Sequence, residues 1–309
     1  MKKSFAAIAL ASTCLLSCSR GGSFVDMVDV EGGVFLMGAH TSELDWATVD
    51  ELPAHIVRLS DYKIGRYEIT VGQFKAFVDE TGYVTIAERK DTLTDRIYKS
   101  WIIDTTGGVS RQVQVDSVIS WRNGMFGQRL TPKDYDLPVA MVAFDDCKAF
   151  CRWLSEKEGV EYDLPTEAEW EFAARGGNLS KDYFASGGND VDKVAWYADN
   201  TNGELHPVGR KRPNELGIYD MTGNVREWTL DAPLSYRSFT QIDTMVNPVL
   251  AYQTKKVDTH VGRGSSSNLA VSRCRISYRT SFQSARHGAG LGFRIVQRTE
   301  QPTPYYSVD

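Results

Sequence analysis

Two segments about fifty residues apart constrain the fold most, because each fixes a local backbone geometry. In the first, Leu164–Gly177, Thr166 stands three residues before Glu169 and follows a Leu-Pro pair, which is the arrangement of a helix capping box. This pattern predicts a helix that begins at Thr166 and runs to Arg175. The second segment, Asn214–Trp228, is rich in Asn, Asp and Gly and carries a Gly-Asn turn between two carboxylates. Such a chain needs a scaffold that can hold irregular loops.

Periodic segments elsewhere in the chain are few and short. Helical patterns cover Val71–Thr81 and Asp145–Lys157. Runs with β-branched or aromatic residues between turn formers are typical of short strands, as at Ile56–Leu59, Tyr62–Ile64 and Gly292–Val296. Much of the remainder is rich in Gly, Asn, Asp and Ser without clear periodicity. This distribution predicts a loop-dominated α+β domain rather than a β-sandwich or a doubly wound sheet.

Together, the two segments resemble the signatures of the formylglycine-generating-enzyme (sulfatase-modifying-factor) family. The similarity covers nearly all of the mature chain, and its further matches are Gly32–Gly38, Tyr67–Thr70, Phe74–Phe77, Ala149–Leu154 and Gly290–Arg294. The resemblance implies a loop-rich variant of the C-type-lectin-like fold, with few helices and short antiparallel strands. It also implies loops held by buried aromatic side chains, for which the candidates are Trp153, Trp170, Trp196 and Trp228.

The first residues have the features of a secretory leader. Two lysines precede an apolar run, Phe5–Leu16, that is too short to span a bilayer. Leu15–Cys18 resembles a bacterial lipobox, which implies removal of residues 1–17 and a lipid on Cys18. We therefore expect a membrane-anchored protein, and the serine after Cys18 favours an outer-membrane lipoprotein that faces the periplasm. The alternative is an ordinary signal peptide that is cleaved at another residue.

Behind this leader, the sequence divides into three further parts. Residues 18–23 form the lipidated end and a short linker, 24–298 form one domain, and 299–309 are a polar, Pro-containing tail that we expect to be mobile. Within the domain, the similarity to the family weakens at about 90–137, a stretch that begins charged and β-branched. We interpret this stretch as an elaborated surface loop or small hairpin, since loops tolerate insertion better than cores do.

Charge and cysteine content restrict the classes of partner and bond. The chain has 309 residues and a formal net charge of −5, so its charge does not suggest nucleic acid as a partner and disfavours a polybasic lipid-binding surface. Three cysteines remain after the leader, Cys147, Cys151 and Cys274, which allow at most one internal disulfide. The first two share a helix face at the upper limit of disulfide geometry. We expect buried free thiols, with a Cys151–Cys274 bridge as the alternative.

The residues that catalyse formylglycine formation in the resembled enzymes have no direct counterparts here. Those enzymes carry two cysteines separated by four residues just before a Tyr-Arg pair, and two thiolates suit Cu(I). Counted back from Tyr278–Arg279, the two positions fall near Ala270 and Arg275, and Cys274 stands one residue from the second. The family's active-site tryptophan is replaced by Arg226. We therefore assign no catalytic residue and do not expect copper-dependent formylglycine formation.

A calcium site has more support in the sequence than a transition-metal site. The resemblance implies calcium ligands at Asp220, the backbone of Gly223 and Val225, and Glu227, a set of hard oxygen donors around a Gly-Asn turn. The ion would have a structural role. The alternative is that the two carboxylates accept hydrogen bonds from loop amides or an arginine. The five histidines are scattered, without the spacing that places two imidazoles on one helix face.

Two classes of function follow from these features. In the first, the domain is a non-catalytic component of a cell-envelope assembly that binds a protein or other ligand. Its candidate contact residues are Arg226, Cys274, Arg275 and Arg279. The three arginines are included because a guanidinium group can hold a carboxylate or phosphate in a bidentate manner. The lipobox and the missing cysteine pair resemble family lipoproteins of the gliding and type IX secretion machinery. In the second, the protein is a metal-dependent extracytoplasmic oxidase or modifying enzyme, including formylglycine formation on sulfatases.

Overall fold

The structure, a computed structural model, describes residues 23–89, 100–104, 111–115, 118–253 and 258–306. The predicted signal peptide, the lipid-bearing Cys18 and the linker up to residue 22 lie outside the described residues, as do parts of the 90–137 insertion. Within those described ranges, no helix is both long enough and apolar enough to cross a membrane.

The longest helices occupy the positions predicted from the sequence. Thr166 caps the third helix, because its hydroxyl accepts a hydrogen bond from Glu169 N at 3.2 Å and its own N–H donates to the Glu169 carboxylate at 2.7 Å. The predicted capping box is therefore present and determines where this helix starts. In chain order, the α-helices are α1 (Val71–Thr81), α2 (Phe144–Glu158), α3 (Glu167–Ala174), α4 (Val191–Val194) and α5 (Ala198–Thr201).

The strands are short, with two to five residues each. In chain order they are β1 (Met27–Val30), β2 (Gly33–Met37), β3 (His55–Leu59), β4 (Tyr62–Gly65), β5 (Ser100–Asp104), β6 (Arg111–Val115), β7 (Tyr162–Asp163), β8 (Arg226–Trp228), β9 (Met245–Val246), β10 (Pro248–Ala251), β11 (Thr259–Arg263), β12 (Arg279–Gln283), β13 (Leu291–Gly292), β14 (Val296–Arg298) and β15 (Thr303–Tyr306). The single strand predicted over Gly292–Val296 is divided between β13 and β14.

These strands form several small sheets. Two four-stranded sheets have the orders β1-β4-β14-β7 and β12-β11-β8-β13, and the smaller sheets are β2-β3-β9, β5-β6 and β10-β15. Most pairs are antiparallel, as expected, but β8 with β13, β3 with β9 and β10 with β15 are parallel. The partners in these three pairs lie far apart along the chain, so long connections allow them to run in the same direction. The predicted α+β class with few helices and short strands is confirmed, with this correction to strand direction.

The core contains two large hydrophobic clusters. One lies around α1 and α2, where the rings of Phe74, Phe150 and Phe293 have centroids 5.5 to 6.3 Å apart. The other gathers β3, β4 and α3 around Trp170, which is fully buried. Burial of aromatic rings on this scale lets a small amount of regular structure hold many loops.

The four tryptophans predicted to hold the framework do so in two ways. Trp153, Trp170 and Trp228 are buried in the two clusters. Trp196 is half-buried and stacks on His206, with ring centroids 3.7 Å apart. The prediction holds for the three core tryptophans, whereas Trp196 packs against a loop.

The insertion at 90–137 contains a small antiparallel hairpin formed by β5 and β6. Ile103 is buried and belongs to a minor cluster with Met125, and its N–H donates to Met125 O at 2.7 Å. The expected small hairpin is therefore present in the described part of the insertion, and one of its residues reaches the interior.

The tail that we expected to be mobile is paired with the domain. Strand β15 lies parallel to β10, and Thr303 N donates to Asn247 O at 2.7 Å. The Asn247 side chain also donates to the Glu300 carboxylate at 3.1 Å. Residues 303–306 of the tail are therefore part of a sheet, because they pair with a distant strand.

Candidate functional site

Helix α3 places two fully buried glutamates, Glu167 and Glu171, among arginines from three places in the chain. Glu171 accepts from Arg175 Nε at 2.9 Å and also pairs with Arg263. Glu167 accepts from Arg263 Nη1 at 3.3 Å and from Arg279 Nε at 3.0 Å. Both sides of this network are buried, so each charge depends on its partners to offset the loss of hydration.

Arg279, one of the predicted ligand contacts, belongs to this structural network. Besides its pairing with Glu167, its Nη1 donates to Asp50 O at 2.9 Å and to Leu234 O at 3.0 Å. Its guanidinium also lies 4.3 Å from the centre of the Tyr236 ring. With these donors occupied inside the protein, Arg279 holds these segments together.

Arg275, a second predicted contact, is also occupied. It is buried and pairs with Glu51, with Nε 2.7 Å from Oε2. Burial alone would raise the pKa of Glu51, but the hydrogen bonds from Arg275 and Ser277 hold that pKa below its ordinary value. The carboxylate therefore stays charged, and Arg275 ties the residues before β12 to the loop that precedes β3.

Cys274, the third predicted contact, is a buried thiol without a second thiol beside it. It is 0% exposed, its nearest polar partner is Ser265 Oγ at 4.0 Å, and burial raises its pKa to about 12. Cys147 and Cys151 are also buried free thiols, but they lie in the cluster around α2. The favoured interpretation of three free thiols agrees with the structure. At neutral pH none is the accessible thiolate that copper binding requires.

The histidines have separate local partners. His55 lies with its ring centre 4.5 Å from that of Tyr236, and His260 stacks on Phe144 at 3.5 Å. Across the part of the chain that the structure describes, no group of three or more His, Cys, Asp or Glu side chains has the arrangement of a metal site. The five imidazoles therefore do not form a cluster that sequence spacing had concealed.

The residues predicted to bind calcium are held by other contacts. Glu227 pairs with Arg294 through Nε–Oε2 at 2.6 Å and Nη2–Oε1 at 2.7 Å, and Trp170 Nε1 donates to Oε2 at 2.8 Å. Asp220 Oδ2 accepts from Gly209 N at 2.7 Å. These are the hydrogen bonds of the alternative interpretation. A calcium ion would have to displace Arg294 from Glu227, so the set fits the ion only in part.

One buried oxygen in this region has no partner. Asp220 Oδ1 is inaccessible and makes no hydrogen bond, and burial raises the pKa of the Asp220 carboxyl to about 6. Glu68 lies nearby and accepts from Asn224 Nδ2 at 2.9 Å and from Val225 N at 3.1 Å. Its pKa is also well above the ordinary value, because of burial and the neighbouring carboxyls of Asp220 and Glu227. The calcium assignment therefore remains a prediction.

Arg226 differs from the other candidate arginines. It is 6% exposed, and its Nε makes a long hydrogen bond of 3.4 Å to Gly290 O. Its guanidinium carbon lies over the Phe282 ring, 5.0 Å from the ring centre. Burial lowers the pKa of Arg226 to about 10, and the nearby charge of Arg286 acts in the same direction. Within the described ranges it has no carboxylate partner, which leaves a cation able to receive an anion.

The alternation of side chains along β8 explains why neighbouring residues have such different surroundings. Arg226 and Trp228 lie on one face, where the Phe282 ring is near both, with its centre 5.8 Å from that of Trp228. Glu227 lies on the other face against Trp170 and Arg294. The motif therefore contains Glu227, which belongs to a structural ion pair, and Arg226, a cation without a carboxylate partner in the described chain.

Sequence reasoning missed Phe282, Glu68 and Arg294 as parts of this region. Phe282 reaches Arg226 only because β12 pairs with β11, which also lies beside β8. Arg294 belongs to a matched motif, Gly290–Arg294, but that motif does not indicate Glu227 as its partner 67 residues away. Glu68 lies in the matched Tyr67–Thr70 segment, so the sequence did mark this position, but the match did not indicate a role for its side chain.

Comparisons with known proteins place the chain in a family. Residues 16–299 match the family model described as Sulfatase-modifying factor enzyme 1-like domain. The chain is 29% identical to the chaperone protein LppX of Paenibacillus barcinonensis, with 92% of this chain and 94% of that protein covered. It is 30% identical to a formylglycine-generating enzyme of Mycobacterium tuberculosis, over 66% of this chain and 73% of that protein.

Two further similarities extend this comparison. The chain is 26% identical to inactive C-alpha-formylglycine-generating enzyme 2 of Bos taurus, with 91% of each chain covered. Among solved structures, PvdO from Pseudomonas aeruginosa superposes with a TM-score of 0.64 at 25% identity, over 88% of this chain and 94% of that one. Since the family match spans residues 16–299 of 309, the protein belongs to the formylglycine-generating-enzyme (sulfatase-modifying-factor) family.

Proposed function

We propose that this protein is a non-catalytic member of its family that binds a protein or other ligand as a component of a cell-envelope assembly. The observation that carries the proposal is the state of Cys274. It is buried, its pKa is raised to about 12 by that burial, and the other internal thiols lie in a different cluster. A soft metal such as Cu(I) needs accessible thiolates, and this arrangement supplies none at neutral pH.

The relatives support this proposal by their range of roles. One similar protein is named a chaperone, and another is named inactive. Within this family, the same fold can therefore carry binding functions, and function depends on the site rather than on the fold. The finer assignment to a gliding or type IX secretion assembly rests on the resemblance in the lipobox and in the missing cysteine pair.

The anchoring part of the proposal places the protein at the outer membrane, facing the periplasm, through a lipid on Cys18. Ser23 and Phe24 are held at the end of α2 by the Glu158 carboxylate, at 2.9 and 2.6 Å. The Phe24 ring also packs edge-on against Trp153 at 5.4 Å. Five residues of linker reach at most roughly 17 Å. The C-terminal end of α2 would therefore lie close to the lipid surface.

The decisive test is anaerobic loading of the anchor-free protein with copper(I), followed by desalting, elemental analysis and an assay for aldehyde formation on a cysteine-containing peptide. We expect copper below stoichiometric amounts and no aldehyde. A formylglycine-generating enzyme with the cysteine pair, treated in parallel, is the control. Stoichiometric copper together with aldehyde would overturn the proposal and restore the metal-dependent modifying enzyme; the same loading with iron(II) extends the test to other metals.

The anchor is tested separately by replacing Cys18. We expect the wild-type protein to incorporate labelled palmitate and to sediment with outer-membrane vesicles, and Cys18→Ser to do neither. Cys274→Ser, which leaves the lipobox intact, is the control for loss of a thiol elsewhere. Membrane association of Cys18→Ser without label would show that another contact, and not the lipid, holds the protein at the membrane.

A further inference from the structure

Among the buried arginines of the described chain, Arg226 is the one without a carboxylate. Its counterparts each contact at least one buried or half-buried acid, and they are Arg175, Arg263, Arg275, Arg279 and Arg294. A buried charge without a partner is destabilising by several kcal/mol relative to a paired one. Natural proteins retain such local conflicts mainly where a function requires them. The position of Arg226 therefore needs an explanation beyond packing.

The geometry of Arg226 leaves its binding edge unused. The guanidinium carbon lies over the Phe282 ring, and Nε has the long contact with Gly290 O. The two Nη groups have no hydrogen bond within the described part of the chain, and neither is a fully inaccessible atom. A guanidinium group presents its N–H groups as a planar fork. That fork matches two oxygens of one anionic group.

A second guanidinium lies near this edge. The Arg286 guanidinium carbon lies 5.8 Å from the centre of the same Phe282 ring, and its charge helps to lower the pKa of Arg226. Tyr278 is a further neighbour, and its effect on the pKa of Arg226 has the opposite direction.

We propose that Arg226, held against Phe282 and flanked by Arg286, is a binding site for a terminal oxyanion group, a carboxylate or phosphate, of the ligand of this protein. The small exposed fraction of Arg226 admits a terminal group rather than the middle of a chain. The inference rests on the proposed binding function and gives that function its recognition chemistry. Bidentate contact with the Arg226 fork would supply the partner that the fold itself does not provide.

The test uses the anchor-free protein with inorganic phosphate and with acetate as separate probes, at constant ionic strength set with chloride. The thermal unfolding midpoint is followed against probe concentration, because binding to the folded state raises it in a saturable way. We expect a saturable rise with at least one probe. A response to phosphate alone would identify a phosphoryl group, and a response to acetate alone a carboxylate.

The variants distinguish bidentate hydrogen bonding by the Arg226 guanidinium from simple charge attraction. Arg226→Gln should weaken the apparent affinity at least about tenfold, the loss expected for a charge-assisted hydrogen bond. Arg226→Lys keeps the charge but loses the fork and should also bind more weakly. Arg210→Gln, at an exposed position, removes the same charge and should respond as the wild type does. If Arg226→Gln does not fold, the comparison of Arg226→Lys with the wild type decides the question.

Two results would overturn the inference. One is the absence of a saturable response to either probe, and the other is an equal response in the wild type and in Arg226→Lys. Neither result would affect the non-catalytic proposal, which stands or falls with the copper and aldehyde measurements. Conversely, retained copper with aldehyde formation would remove the proposed function without changing the measured anion affinity.

Discussion

Helix α3 and the first residue of β8 place buried arginines in opposite electrostatic settings. Around α3, Arg263 and Arg279 share Glu167 between them, so cations and anions offset one another. At β8, Arg226 has an aromatic ring and a carbonyl oxygen as its neighbours, but no acid in the described chain. Burial of an arginine in this fold is therefore not by itself a sign of ligand binding, because five of the six buried arginines in the described chain have acid partners inside the protein.

Neighbouring side chains of β8 also have different roles. Paired charges such as Glu227 and Arg294 join β8 to the chain between β13 and β14 and belong to the framework. Arg226 is held in place by that framework, through Phe282 and the strands around it. A rigid support of this kind keeps a binding group in one geometry, which reduces the entropy lost when a ligand binds.

The largest effect is expected from breaking the network at Glu167. Glu167→Gln removes the carboxylate that pairs with Arg279 and one of the two that pair with Arg263, and it should lower the free energy of unfolding by about 3–5 kcal/mol. Urea-induced unfolding followed by tryptophan fluorescence measures it. Glu156→Gln, on the exposed side of α2, is the matched control and should change stability little. A loss below about 1 kcal/mol for Glu167→Gln would mean that the pairing is not what stabilises this region.

Asp220 is a buried acid in which one carboxylate oxygen has no hydrogen-bond partner. Its pKa in the folded protein is about 6, above the ordinary value, so the folded state binds the proton first as the pH falls. Stability from this group therefore increases as the pH falls through 6. Relative to Asp220→Asn, the wild type should gain about 1 kcal/mol between pH 7 and pH 5. If the stabilities of the two proteins changed with pH in parallel over this range, the raised pKa of Asp220 would be contradicted.

The same variant tests the predicted calcium ion. Calcium would supply the missing partner of Asp220 Oδ1, so millimolar calcium at pH 7 should raise the unfolding midpoint of the wild type and leave that of Asp220→Asn unchanged. Magnesium at the same concentration is the control for ionic strength. An unchanged wild-type midpoint would mean that the Arg294–Glu227 ion pair and the hydrogen bonds around it hold this loop without an ion.

Arg226→Gln tests the buried arginine that has no acid partner in the described chain. Because no carboxylate loses its partner and an unpaired buried charge is removed, the free energy of unfolding in buffer without phosphate or carboxylate should stay the same or increase. The same substitution at Arg279 should be clearly more destabilising, since it leaves Glu167 without its Nε contact. Chemical unfolding of both variants under one set of conditions makes the comparison. Equal losses would assign Arg226 to the framework.

The smallest effect is expected at the thiols. Burial raises the pKa values of Cys147, Cys151 and Cys274 above their ordinary range, so iodoacetamide at neutral pH should not modify them in the folded protein. After unfolding in urea, all three should be alkylated. Intact mass before and after unfolding reports the count. Rapid modification of Cys274 in the folded state would reopen the question of a reactive thiol in this domain.

Local signals in the sequence were sufficient for the elements whose geometry depends on near neighbours. The capping box at Thr166 and the helical periodicity of α1 and α2 involve residues within a few positions of one another, and the structure has these helices where they were predicted. The scarcity of regular structure and the matched motifs likewise indicated a loop-rich α+β fold. In each case the interactions that determine the structure are short in range along the chain.

The state of each charged side chain required the tertiary structure. Arg226, Arg275 and Arg279 were all candidate ligand contacts in the sequence, yet Glu51 lies 224 residues from Arg275 and Glu167 lies 112 residues from Arg279. Pairing over such distances follows from how strands and loops converge, and no local pattern encodes it. The sheet order that brings Phe282 beside Arg226 has the same origin. The motifs therefore identified the family and its fold, whereas the packing of distant segments decided which of the three arginines was left without an acid.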